Sequence, residues 1–171
     1  MRRKQILGRE DVARSVRRMA HEIIESADDL AEIIVVGIEG GGVPVAAAIA
    51  GELRAIGGAE VPLLRLDVTS FRDDRGGGLR GRWEPGCEVT DRVVVLVDDV
   101  LCTGRTVRAA LDAVLAAGRA RRVLLATLVD RGHRELPIRP DVVGRNLPTA
   151  RDEFVEVGLD GVWIVQQGVE Q

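Results

Sequence analysis

Two adjacent carboxylates, Asp98 and Asp99, follow directly on the apolar run VVVLV, and a short Thr/Gly loop separates them from RTVRAALDAVLAAG. In an open parallel sheet, ligands bind just outside the carboxyl ends of the strands, beside helix N-termini. Carboxylates in that position suit ribose hydroxyls or a metal ion. The backbone N–H groups of Thr103, Gly104, Arg105 and Thr106 suit a phosphate. The segment therefore predicts a sugar-phosphate site. A plain acidic helix cap explains it less well, because one cap suffices and it would sit nearer Arg105. The loop is also too short for a Walker-type cradle and lacks its Gly-Lys-Ser/Thr ending.

These residues need a scaffold, and the apolar spacing predicts one. Val12, Val16, Met19, Ala20, Ile23 and Ile24 recur at helical spacing between Glu10 and Ala27. Ile33 to Ile38 reads as a buried strand, followed by the glycine loop GIEGGG and an Ala-rich helix from Val43 to Arg54. Further strands are predicted at Val61 to Val68, Val93 to Val97 and Val123 to Val129. A helix from Arg105 to Ala117 is stopped by Gly118. Glu153 to Val157 and Gly161 to Val165 suit a closing strand pair, while Arg131 to Leu147 shows no evident element. Thr69 to Asp91 has no periodicity and five glycines from Gly76 to Gly86, so it reads as a long surface loop. Strands alternating with helices imply an α/β domain, mainly a parallel sheet flanked by helices.

The totals narrow the function classes. The chain has 171 residues, 46% hydrophobic and 30% charged, enough for one globular domain with a real core. A net charge of −3 argues against a general polyanion binder, though not against a local basic patch for one RNA. With 2% aromatic residues and no Tyr, a stacking platform for single-stranded nucleic acid is not expected. Cys87 and Cys102 are too few for a disulfide scaffold. No apolar run approaches the roughly 20 residues of a membrane span. The basic N-terminus leads straight into charged residues, so the expectation is a cytoplasmic protein without a membrane partner.

VVLVDDVLCTGRT resembles the phosphoribosyl-pyrophosphate (PRPP) signature of type I phosphoribosyltransferases. The wider set resembles the PyrR family, pyrimidine-operon attenuators that are also uracil phosphoribosyltransferases. The matching pieces are RMAHEIIE, VVGIEGGG, DVTSFRDD, VDDVLCTGRTVRAALDA and ATLVDRGHRELPIRPDVVGRNLPT, which run in family order from about Arg18 to Thr149. The resemblance implies the type I phosphoribosyltransferase fold as a single domain, with a flexible flap at about 69–91 and a C-terminal hood at about 130–149.

It also implies roles. Asp98 and Asp99 would hold the ribose hydroxyls of PRPP as the catalytic pair. Val100, Leu101, Cys102, Thr103, Gly104, Arg105 and Thr106 would form the PRPP loop, with its last four residues around the 5-phosphate. Mg²⁺ would sit on PRPP oxygens and reach Asp98 and Asp99 only indirectly, through PRPP and water. Glu39, Gly40, Gly41 and Gly42 would be the pyrophosphate loop, and Arg72, Asp73 and Asp74 would belong to the flap. Arg131, Val142 and Val143 would contact the base. Arg18, His21 and His133 would face a hairpin in leader mRNA, and the assembly would be a homodimer or larger.

Three departures stand out. Relatives commonly carry Thr-Arg where this chain has Gly40-Gly41, often Tyr at Cys102, and an aromatic residue at Val142. Three readings therefore stay open. The first is a regulator that binds leader mRNA in response to uridine nucleotides and makes UMP and diphosphate from uracil and PRPP. The second is a PRPP- or nucleotide-sensing RNA-binding regulator with weak or lost catalysis. The third, a purine phosphoribosyltransferase without RNA binding, fits VDRGHRELPIRPD poorly.

Overall fold

A computed structural model describes residues 2–69 and 88–166. In chain order these form β1 (Arg2–Gly8), α1 (Arg9–Ser26), a single 3-10 turn at Leu30–Glu32, β2 (Ile33–Ile38) and α2 (Gly42–Gly57). There follow β3 (Leu63–Leu66), β4 (Val93–Leu101), α3 (Arg105–Ala117), β5 (Arg122–Asp130), β6 (Val142–Asn146), β7 (Glu153–Gly158) and β8 (Gly161–Gln166).

Five strands make one parallel sheet in the order β3-β2-β4-β5-β6. Every residue of β2, and of β4 up to Asp98, is buried, as a strand covered on both faces must be. The pleat divides these side chains. Ile33, Val35, Val93, Val95 and Val97 pack under α1 and α2, whereas Ile34, Val36, Val94 and Leu96 pack against Val107, Ala110 and Val114 of α3. The α/β expectation is met, with helices on both faces.

From β2 the chain crosses through α2 to β3 on one side, and from β4 through α3 to β5 on the other. The loops after β2 and β4 therefore diverge, and the crevice between them is the topological switch point of the sheet. The loops of greatest interest, Glu39–Gly41 and Cys102–Gly104, flank that crevice.

Two elements were not foreseen. Arg2–Gly8 is a strand that pairs antiparallel with β8, which pairs in turn with β7 to form a separate small sheet. The Arg3 guanidinium lies 4.1 Å from the centre of the Trp163 ring and 3.1 Å from Glu156. Long-range pairing thus makes a strand of a segment whose first three residues are all cationic. Val142–Asn146, inside the segment expected to lack structure, is the edge strand β6, in register with β5. The main sheet's other boundaries moved little, except that β4 runs on to Leu101 and carries both carboxylates within the strand. The expected strand at Val61 to Val68 contracts to Leu63–Leu66.

Candidate functional site

β4 leaves the sheet core at Asp98. The same pleat that sorts its valines sends the two carboxylates to opposite sides of the strand. Asp98 is buried, on the rim of a small cavity of about 60 Å³ that also involves Cys102, Thr103, Gly104 and Thr106. Asp99 faces the other way, toward the start of α2, where its carboxylate lies against Gly41. Each carboxylate accepts a backbone N–H: Asp98 Oδ1 from Asp99 at 3.0 Å, and Asp99 Oδ1 from Val100 at 2.9 Å. Burial, reinforced by the neighbouring Asp99 charge, pushes the Asp98 carboxyl up to about 8. One proton is thereby retained by the pair near neutrality unless a cation or a hydrogen-bonding ligand arrives.

The turn after β4 brings polar hydrogen to the crevice. Gly104 adopts φ +91, the left-handed conformation a side chain resists, and is the residue preceding α3. Thr103 Oγ1 accepts the Arg105 N–H at 3.3 Å, and Arg108 N–H closes the first helical turn on Gly104. This turn and the positive end of α3 are of the kind that attracts an anion.

On the opposite wall is Glu39–Gly42. Glu39, Gly40 and Gly41 are exposed, and Gly40 has φ +102. The fit between the walls is close. A side chain at Gly41 would collide with the Asp99 carboxylate, and one at Gly42 would meet the Val97 carbonyl at 2.5 Å. Position 41 therefore has no room for a side chain while Asp99 holds its place.

The segment from Arg131 to Thr149 folds over the β4–α3 turn. Thr103 carbonyl accepts both Glu135 N–H (3.0 Å) and Leu136 N–H (3.2 Å), and Arg131 N–H binds the Leu101 carbonyl. Arg134 is the central rivet. Its guanidinium reaches Asp130 Oδ2 at 2.6 Å, the Cys102 carbonyl at 2.9 Å and the Ile138 carbonyl at 2.8 Å. Burial would raise the Asp130 carboxyl, but the Arg134 guanidinium, helped by the Gly132 N–H, holds it below the usual carboxylate range. Arg105 reaches Glu135 at 2.7 Å. Between the turn and this hood lies a cavity of about 440 Å³ lined by Arg131, His133, Arg134 and Arg151 with Cys102, Thr103 and Glu135.

The expected residues are therefore distributed as follows. Asp98, Asp99 and Val100–Thr106 converge, and Glu39–Gly42 meets them across the crevice. Arg72, Asp73 and Asp74 lie outside the described residues, as does most of the expected flap. Arg131 sits in the hood, where its guanidinium is held by Thr149 Oγ1 and the carbonyls of Ala150 and Glu153. Val142 and Val143 do not share a face, since adjacent strand residues point apart. Val142 is 2% exposed in the core with α1, which corrects the expectation that both cover a base. Arg18 grips the carbonyls of Val143 (3.0 Å) and Gly144 (2.6 Å), tying α1 to β6, while His21 is exposed one turn further on. His133, at φ +62, has its Nε2 2.7 Å from the Thr149 carbonyl.

Asp130, Arg134, Glu135 and Arg151 were missed. Asp130, Arg134 and Glu135 stand within the matched piece VDRGHRELPIRPD without a role of their own, and Arg151 lies just beyond the matched pieces.

The phosphoribosyl transferase domain family model matches residues 2–160. The bifunctional protein PyrR of Roseiflexus sp. (strain RS-1) is 49% identical, over 97% of this chain and 97% of its own. That of Deinococcus radiodurans is 48% identical, over 94% and 92%. Among solved structures, a hypoxanthine-guanine phosphoribosyltransferase from Bacillus anthracis aligns at TM-score 0.75 and 18% identity, covering 95% of this chain and 97% of that one. The hypoxanthine phosphoribosyltransferase of Trypanosoma cruzi aligns at TM-score 0.76 and 15% identity, over 96% and 97%. At such identities these two structures speak for the fold alone.

Proposed function

The chain belongs to the PyrR family of phosphoribosyl transferase domains, and on that premise we propose that it transfers the phosphoribosyl group of PRPP to uracil and binds a pyrimidine-leader mRNA hairpin. The observation that carries the first half is the Asp98–Asp99 pair at the sheet's switch point, beside the anion-receptive turn Thr103–Thr106.

In this reading the turn holds the 5-phosphate through backbone N–H groups and the Thr103 and Thr106 hydroxyls. The carboxylates accept hydrogen bonds from the ribose hydroxyls and fix the ring. A uracil nitrogen then bonds to the anomeric carbon as the bond to diphosphate breaks with its electron pair, and the nitrogen's proton passes to water or to the departing diphosphate. Positioning and charge stabilisation of an oxocarbenium-like transition state dominate, so no covalent nucleophile is required. The hood, with Arg131 and Val143, covers the base and excludes water.

The donors present fit Mg²⁺ held indirectly. Among the described residues no three His, Cys, Asp or Glu side chains converge on one point. Asp98, on the rim of its small cavity, nevertheless suits an ion that keeps most of its water and is reached indirectly. When bound, the ion neutralises charge on the departing diphosphate.

RNA binding is proposed for the surface around Arg18, His21 and His133, where phosphates, 2-hydroxyls and loop bases would be read. Arg18 and His21 lie three residues apart on α1, hence on one face. The test is turnover with PRPP, Mg²⁺ and uracil, hypoxanthine or guanine. UMP and diphosphate should form with uracil alone; turnover with a purine only, or with no base, refutes the enzymatic reading. Filter binding to a leader hairpin should strengthen with UMP, and indifference to hairpin sequence refutes the regulatory one.

A further inference from the structure

We infer that Arg151 reads the base: its guanidinium donates to the uracil carbonyl oxygen on the ring edge remote from the reacting nitrogen, and so sets the specificity of the transfer. This rests on the reading just proposed and adds a specificity-determining residue to it. The residues first expected around the base are largely occupied elsewhere.

Val142 is buried on the α1 side of the sheet. Four basic side chains line the cavity between the β4–α3 turn and the hood, and three of them are committed to the fold. Arg131 gives its Nε to Thr149 Oγ1 and its Nη2 to the Ala150 and Glu153 carbonyls, with the Phe154 ring centre 5.9 Å away. His133 meets the Thr149 carbonyl, and Arg134 ties Asp130 to the carbonyls of Cys102 and Ile138. Glu135, the acidic residue of the lining, is paired with Arg105. Arg151 is exposed, and among the described residues its guanidinium has no hydrogen bond or ion pair.

The backbone that carries it is fixed. Glu153 N–H reaches the Ala150 carbonyl at 3.3 Å, and Glu153 Oε2 accepts the Ala150 N–H at 2.8 Å, which closes the turn 150–153. Arg131 holds the same turn at both ends, through the Ala150 and Glu153 carbonyls. An uncommitted guanidinium is thus mounted on an anchored turn, beside the cavity that Cys102 and Thr103 bound on its other side.

Uracil matches that group. Its remote edge carries a carbonyl oxygen where cytosine carries an amino group, and a guanidinium has donors only. Cytosine would leave both partners unpaired, a mismatch that discriminates strongly. The contact also strengthens during the reaction. As the uracil nitrogen loses its proton, to water or to the departing diphosphate, negative charge spreads onto the ring oxygens. A charged donor aimed there holds that charge better than it holds the neutral base. Arg151 itself neither gives nor takes a proton.

Arg151→Gln and Arg151→Lys test the inference, with melting temperatures reporting that both fold. In Arg151→Gln, kcat/KM for uracil should fall about tenfold to a hundredfold while the KM for PRPP stays unchanged, and the lysine should recover part of the loss. 5-Fluorouracil, which releases its ring proton more readily, should lose less than uracil does. By calorimetry UMP should bind more weakly, and ribose 5-phosphate as in wild type. Undiminished uracil turnover and UMP affinity in folded Arg151→Gln overturn the inference and leave the proposed function standing. Equal weakening of UMP and ribose 5-phosphate also overturns it, because the contact is then to phosphate, and so does a loss confined to hairpin binding. A wild type that neither turns over uracil nor binds UMP overturns the proposed function and this inference together.

Discussion

Asp98→Asn should stabilise the ligand-free protein at alkaline pH while destroying its ligand site. Asp98 is buried beside Asp99, and its carboxyl is raised from 3.8 to about 8 by burial first and by the Asp99 charge second. A carboxyl whose folded value is raised contributes stability that is fully present below about 3.8 and is lost as the pH climbs through about 8. Each pH unit inside that window forfeits roughly 1.4 kcal/mol, so from about pH 5 to about pH 8 the wild type gives up on the order of 4 kcal/mol through this group. Asparagine has nearly the same shape, retains an oxygen for the Asp99 N–H, and carries no titrating proton. The variant should melt close to the wild type near pH 5 and roughly 10 °C above it near pH 8, at about 2–4 °C per kcal/mol for a domain of this size. Scanning calorimetry in EDTA across that range measures the difference. The same variant should show no heat of UMP binding. A melting difference that does not grow with pH, or a wild type more stable at pH 8, would refute the assignment of a buried, charge-coupled pair.

Three further outcomes are expected. Gly41→Ala forces the Asp99 carboxylate away from the α2 loop, so the variant should lose about 1–3 kcal/mol of stability and bind UMP more weakly, by chemical denaturation and calorimetry. Arg134→Ala removes charged hydrogen bonds to Asp130, Cys102 and Ile138, at a cost of about 2 kcal/mol, and should make the hood segment's amides exchange faster in hydrogen-exchange mass spectrometry. Because the folded Asp130 carboxyl is lowered, that contact should be intact above the ordinary carboxylate value and fail only as pH falls through the lower folded one; hood protection in wild type should follow that acid limb. Arg18→Ala should cost about 1 kcal/mol by freeing the Val143 and Gly144 carbonyls. If Arg18 also meets RNA, hairpin affinity should fall further than in a control destabilised equally elsewhere in α1.

The parts of the fold that local pattern dictates were legible in the sequence. VVVLV, short, β-branched and ended by charge, reads as a strand buried on both faces, and RTVRAALDAVLAAG as a helix with one apolar side. Asp98 and Asp99 stood out because charge at the end of such a run has no packing use. What escaped was set by partners distant in the chain. Arg2, Arg3, Lys4 and Gln5 are exposed and become a strand through β8, helped by Trp163 and Glu156. β6 is short and interrupted by Gly144, and its place depends on pairing with β5 and on Asp141 accepting the Leu125 N–H at 2.8 Å. Likewise, no local rule says that Val142 belongs to the core and Val143 to its other side until the strand is known. The functional wall at Gly41 was visible as an unusual absence of side chains. Its meaning appeared only once Asp99 was seen filling the space.

The small sheet has a consequence for how the polypeptide acquires its shape. β1 precedes α1 directly, yet among the described residues it pairs with β8, close to their far end. Leu7 of β1 and Val162 of β8 both enter the core beneath α1. During synthesis, the first helix therefore waits beside an unpaired, arginine-rich ribbon until nearly the whole domain has emerged, and closing that ladder is a loop closure of high entropic cost. The main sheet can assemble earlier, since β2 through β5 follow one another by local crossovers. The crevice at its centre should thus take shape before the helix that carries Arg18 and His21 is locked in position.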